Sequence, residues 1–183
     1  ELIKKIRDRE EQTDLWVLFS LVKKTPSKYI IQKATELGAS KIVPLITERT
    51  VTKSLNLKRF HDIAIEASEQ CERITIPEIL PLQKLYDVID DWVEKRTIYY
   101  GDETMRHDKH SLNNFNKSTN ESCGAVLVGP EGGFTTKEIS YLKQKKFVIP
   151  INFGPRILKS DTAVVTALVL WHILNGDMKN SFY

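Results

Sequence analysis

Residues 15–22, Leu-Trp-Val-Leu-Phe-Ser-Leu-Val, are apolar at odd and even positions alike apart from Ser20. A strand with one wet face alternates apolar and polar side chains, whereas a continuous run suits a strand buried on both faces. Such a strand needs a covering layer above and below, and the rest of the chain supplies helices for both. Lys23-Lys24-Thr25-Pro26 breaks the run. Ser27 then stands where it can cap a helix whose apolar positions Ile30, Ala34 and Leu37 follow i, i+4, i+7, with Gly38 ending it.

The same alternation continues. Residues 41–46 read as a second short strand. Residues 57–74 read as a long helix with Phe60, Ile63, Ala64, Ala67, Cys71 and Ile74 on one stripe. A short helix passes through Leu82, Leu85, Ile89 and Val93, and residues 97–100 form a strand. From 101 to 122 the chain is almost wholly polar, which is long for a structureless loop. It is either a flap over an active site or a tolerated insertion. A strand over 125–128, a glycine-rich turn, a helix from Thr136 and a strand over 147–151 follow. The last helix runs from Asp161 or Thr162 to Leu174, capped by Ser160 or Asp161 and closed by Gly176. Strands alternating with helices give an α/β fold with a largely parallel sheet.

Charge and cysteine content narrow the function. Lys and Arg number 27 against 24 Asp and Glu, a net charge of +3 that permits RNA binding without announcing it. Cys71 and Cys123 fit no disulfide framework and no zinc spacing, so a reducing, cytoplasmic setting is expected. No apolar run is long enough to span a bilayer, and no signal peptide is recognised. The chain opens on Glu1, and residues 1–14, dense in alternating charges from Lys4 to Glu11, read as a linker.

Two loops, each leaving a strand and entering a helix, stand where open α/β sheets bind ligands. The first is Gly129-Pro130-Glu131-Gly132-Gly133-Phe134, followed by Thr135 and Glu138 in capping-box spacing. Its glycines allow backbone to approach a ligand closely; a tight strand-to-helix turn would use them equally well. It has neither the Lys-Ser/Thr pair of a P-loop nor a Gly-x-Gly-x-x-Gly pattern. The second is Phe153-Gly154-Pro155-Arg156-Ile157-Leu158-Lys159-Ser160-Asp161-Thr162-Ala163. Ile157 and Leu158 in mid-loop suit an adenine slot; the alternative is a plain helix entry.

Together the two loops resemble the RsmE family of the SPOUT superfamily, methyltransferases acting on a uracil N3 in small-subunit (16S) ribosomal RNA. Three further stretches carry the resemblance: Ile31-Gln32-Lys33-Ala34-Thr35-Glu36-Leu37-Gly38, then Pro44 through Glu48-Arg49, and Ala67-Ser68-Glu69-Gln70-Cys71-Glu72-Arg73 followed by Pro77. The resemblance implies a SPOUT domain over 15–183, a parallel sheet flanked by helices whose C-terminal segment forms a trefoil knot. It implies a homodimer, S-adenosylmethionine as cofactor, and a PUA-like β-barrel ahead of the domain, with residues 1–14 as its remnant or linker. Tyr100, Gly101, Val128, Gly129, Pro130, Glu131, Gly132, Gly133, Phe153, Gly154, Ile157, Leu158, Thr162 and Ala163 are then the expected cofactor contacts. Where the family has Arg-Thr-Glu-Thr-Ala, this chain has Lys159-Ser160-Asp161-Thr162-Ala163, and Lys cannot fork as Arg does.

The chemistry assigns further roles. Methyl transfer from a sulfonium is an in-line displacement, governed by positioning. Uracil N3 must lose its proton to attack, and Arg156 is placed to stabilise the resulting anion. Glu131 or Asp161 is the expected proton acceptor, with a helix cap or salt bridge as the competing role. On the RNA side, the resemblance implies Glu69, Gln70 and Arg73, which share a polar stripe with Glu66; Lys23, Glu36 and Arg49 follow strand or helix ends, and Lys159 stands where the family has Arg. Solvated surface charge is the alternative for each. His107-x-x-His110 beside Asp102 and Asp108 lacks supporting ligands, and no metal is expected.

Overall fold

The computed structural model describes residues 13–92, 96–107 and 123–179. Their elements are β1 (Asp14–Ser20), α1 (Lys24–Glu36), β2 (Lys41–Ile46), α2 (Leu57–Gln70), β3 (Glu78–Ile79), β4 (Gln83–Lys84), α3 (Leu85–Asp90), β5 (Thr97–Gly101), β6 (Cys123–Val128), α4 (Thr136–Lys143), β7 (Val148–Ile151) and α5 (Ser160–Asn175). The described strands form a seven-stranded sheet in the order β3-β2-β1-β6-β5-β7, with β4 also on β2, and every pairing is parallel. The expected α/β class and parallel sheet are what the chain adopts.

β1 lies at the centre, as its uninterrupted apolar run requires. Leu15, Val17 and Phe19 point into one core with Ile30, Ile31 and Ala34 of α1, Phe60 of α2 and Trp171 of α5. Leu18 points into the other, with Leu85 and Ile89 of α3 and Leu142 of α4. All four β1 side chains are fully buried. Each large apolar group so placed contributes about 1.5–3 kcal/mol. α5 reaches the sheet because Gly124 of β6 has no side chain: a Cβ there would run into the Trp171 indole.

Several boundaries differ from the sequence reading. Ser27 does not cap α1; the helix starts at Lys24, and the Ser27 hydroxyl donates to Val22 O at 2.9 Å. α2 stops at Gln70, not at 74, because Glu72 takes φ 58° and the Glu72 and Arg73 N–H groups turn back to Glu69 O and Ser68 O. Cys71 and Ile74 are therefore exposed instead of continuing the apolar stripe. Leu82 lies ahead of α3, and Val93 falls outside the described residues. α5 begins at Ser160, and neither Ser160 nor Asp161 is its N-cap; that position is Lys159, without a side-chain bond. Lys4 to Glu11, most of the 101–122 segment, Asp108 and His110 also lie outside the described residues. Among those described, no helix is long and apolar enough to cross a membrane.

Candidate functional site

In a parallel sheet all strands end on one edge, so the loops after β5, β6 and β7 meet there. They enclose an open cleft whose empty space, counted out into open solvent, is about 720 Å³. From the β6 loop the walls take Val128, Gly129, Pro130 and Gly133, and from the β7 loop Phe153, Gly154, Arg156, Ile157 and Leu158. Tyr100 and Gly101 close β5, and Ala163 comes from α5. Apart from Arg156, expected on the substrate side, these are expected cofactor contacts brought to one place. Glu131, Gly132 and Thr162 do not line the cleft; the turn carries Glu131 and Gly132 outward, and Thr162 is exposed on the first turn of α5.

The glycine turn is shaped by its own chemistry. Gly133 N–H donates to Pro130 O at 2.8 Å, closing a turn, and Gly133 holds φ 67°. A side chain at Gly133 would be strained in that conformation and would sit 2.8 Å from Glu103 Oε1. Gly129 is held by the Ser160 hydroxyl, which donates to its carbonyl at 2.8 Å. The expected capping box then forms: Thr135 Oγ1 accepts from Glu138 N–H, and Glu138 Oε2 accepts from Thr135 N–H. Gly154 needs its glycine for conformation alone, since it takes φ 101° with nothing within 4 Å of a Cβ.

Sequence reasoning missed much of the cleft's polar side. Asp102, Glu103, Arg106 and Asn152 line it, with Phe134, Ile139, Ile151 and Ser160. Asn152 joins two loops, its Nδ2 donating to Met105 O and its Oδ1 accepting from Gly154 N–H, both at 2.7 Å. Asp102 is buried under Tyr100 OH at 3.1 Å, the Thr104 hydroxyl at 2.6 Å, Thr104 N–H at 3.0 Å and Lys143 Nζ at 3.2 Å. Burial alone would push its carboxyl up, but these donors, Thr104 first, hold it below the usual carboxylate range. In return, burial and the Asp102 charge push the Tyr100 hydroxyl up. The available signal was Asp102 at a strand end with Thr104 two residues on, an Asx-type turn.

Arg156 is exposed, and among the described residues it makes no ion pair; neither Glu131 nor Asp161 is tied to it. Asp161 Oδ1 accepts from Thr162 N–H at 2.8 Å, so its carboxylate serves the first turn of its own helix. Glu131 is exposed on the turn. The residues expected to face RNA scatter. Lys23 and Lys159 are exposed at the N-caps of α1 and α5, and Glu69 and Gln70 are exposed on the last turn of α2. Glu36 is paired with Lys33 at 2.6 Å. The Arg73 guanidinium is committed to the C-terminal end of α1, donating to Thr35 O and Ala39 O at 2.7 Å each. Arg49 Nη1 donates to Gly132 O. Of His107, His110, Asp102 and Asp108 only His107 and Asp102 are described, and no group of His, Cys, Asp and Glu among the described residues has metal-binding geometry.

Residues 9–172 match the RNA methyltransferase domain. The chain is 34% identical to the ribosomal RNA small subunit methyltransferase E of Buchnera aphidicola subsp. Schizaphis graminum, over 97% of this chain and 72% of that protein. It is 33% identical to the enzyme of the same name from Rickettsia conorii, over 90% of this chain and 66% of that protein. The crystal structure of a ribosomal RNA small subunit methyltransferase E from Neisseria gonorrhoeae bound to S-adenosyl methionine is similar at TM-score 0.80 and 25% identity, covering 93% of this chain and 70% of that one. The chain thus spans about two thirds of the length of the Rickettsia relative.

Proposed function

We propose, from the premise that this chain belongs to the RNA methyltransferase domain family and within it to the RsmE group, that it methylates a uridine N3 in small-subunit ribosomal RNA using S-adenosylmethionine. The observation that carries this reading is the cleft itself: all but Glu131, Gly132 and Thr162 of the residues that the resemblance assigns to the cofactor meet at the carboxyl edge of a parallel sheet. The fit to S-adenosylmethionine is chemical. Ile157, Leu158 and Phe153 offer apolar surface for a purine ring, and the rim carboxylate of Glu103 suits hydroxyl or ammonium groups. When bound, the cofactor supplies a methyl group on a positively charged sulfur.

This chain's residues do the rest. The glycine turn and the β7 loop hold the cofactor, and Arg156 faces the substrate with an uncommitted guanidinium whose fork matches uracil carbonyl oxygens. Its charge stabilises the anion left when N3 loses its proton. Of the two candidate proton acceptors, Glu131 fits better, since Asp161 is engaged within α5. Lys23, Lys159, Glu69 and Gln70 are exposed where RNA can reach them, whereas Glu36 and Arg73 are held within the protein. Incubation with the cofactor and small ribosomal subunits, followed by nucleoside mapping, is expected to yield 3-methyluridine. A methylated ribose would place the chain with 2′-O-methyltransferases instead, and no transfer at all would leave a binding module.

The same reading includes a homodimer, a cytoplasmic setting and a knotted C-terminal segment. On α5, Val165, Val169 and Ile173 recur at i, i+4, i+8 and are only half-buried in one subunit, a stripe that a second copy would cover. Light scattering at tens of micromolar is expected to give twice the chain mass; a monomer would remove the shared site.

A further inference from the structure

The glycine turn has two sides, and only one faces the cleft. Gly129, Pro130 and Gly133 line the cavity, while Gly132 turns away from it. Behind Gly132 lies Arg49, from the loop that follows β2. Its Nη1 donates to Gly132 O at 2.5 Å, and its Cδ lies 3.4 Å from where a Gly132 Cβ would stand. The stem of Arg49 therefore rests on the turn while its head holds the carbonyl.

The base of this arm is fixed as well. Glu48 N–H donates to Glu138 Oε1 at 2.8 Å, and the same buried carboxylate takes Thr135 N–H at 2.8 Å. The Glu48 side chain accepts from Thr135 Oγ1 and from Tyr86 OH, each at 2.9 Å, bonds that hold its carboxyl below the usual range. The β2 loop, the start of α4 and the glycine turn are thereby one hydrogen-bonded unit, and Arg49 is its link to the turn.

We propose that Arg49 is a positioning residue for the cofactor, pressing the glycine turn against the cleft from the side away from the ligand. This rests on the reading that the cleft binds S-adenosylmethionine. A guanidinium on the Gly132 carbonyl restricts the outer limb of the turn, so the turn loses less freedom when the ligand arrives. Arg49 then acts through Gly132 and touches neither cofactor nor RNA.

The test compares the unaltered chain with Arg49→Ala and Arg49→Lys. Calorimetry gives the S-adenosylmethionine dissociation constant, a separate titration gives affinity for a small-subunit RNA fragment, and thermal unfolding reports stability. Arg49→Ala is expected to raise the cofactor constant about tenfold, the scale of one hydrogen bond from a charged donor. Arg49→Lys, which can still donate once, is expected to recover part of that loss. RNA affinity and melting temperature stay unchanged, and in turnover the cofactor KM rises while kcat at saturating cofactor does not fall. An unchanged cofactor constant with weakened RNA binding overturns the proposal and makes Arg49 an RNA contact. A lowered melting temperature with unchanged cofactor affinity overturns it in favour of a purely structural bond. If the unaltered chain binds no cofactor, the reading of the cleft fails and the proposal with it; if it binds and Arg49→Ala binds equally, only the proposal fails.

Discussion

Arg156→Ala is expected to lower methyl transfer by about a hundredfold, the scale of losing one donor that stabilises a developing oxyanion. Cofactor affinity and melting temperature are expected to stay as they are. The separation follows from the structure: Arg156 is exposed and makes no ion pair among the described residues, so its removal strands no partner. Exposed substitutions of this kind usually move stability by no more than about 0.5 kcal/mol. Rate, cofactor affinity and melting temperature measured on the one variant decide the matter. Loss of all three would mean that Arg156 braces the site, and full activity would remove it from the chemistry altogether.

Glu138→Ala is expected to cost about 2–4 kcal/mol, because two part-buried N–H groups each lose a carboxylate acceptor. Glu138 is fully buried, and its two carboxylate oxygens serve Glu48 N–H and Thr135 N–H separately. Glutamine can keep the capping bond to Thr135, as capping boxes generally allow. Its amide nitrogen would then confront the Glu48 N–H, so Glu138→Gln is expected to lose more than half as much. For a domain of this size the alanine variant should melt on the order of 10 °C lower. Chemical denaturation checks the figure, and a loss below about 1 kcal/mol would show that water replaces the carboxylate freely.

The fold was legible where a residue's own neighbours decide its state. The unbroken apolar run of β1, the Thr135 and Glu138 spacing and the periodicity of α1 each carry their structure locally. The failures came where a distant partner decides. Ser160 looks like a cap until β6 brings Gly129 O within 2.8 Å of its hydroxyl. The end of α2 was hidden because Glu72, not a glycine, takes the left-handed position, and the apolar spacing runs on to Ile74. Asp102 and Asn152 join the site only because β5 and β7 are neighbours in the sheet, a pairing between segments some fifty residues apart. The Arg73 side chain reads as solvated on a helical wheel, yet its guanidinium closes the end of α1.

The central position of β1 also has a cost during synthesis. One edge pairs with β2, which follows closely, but the other pairs with β6, where Asp14 meets Cys123. A ribosome adding about 5–20 residues per second leaves that second edge without its partner for roughly 5–20 s. Throughout that interval a strand buried on both faces in the folded protein presents unpaired backbone groups beside Trp16, Leu18 and Phe19. An open, apolar edge is a template for pairing with another chain. The nascent protein therefore passes through an aggregation-prone state before the strand that leads into the glycine turn of its candidate active site has been made.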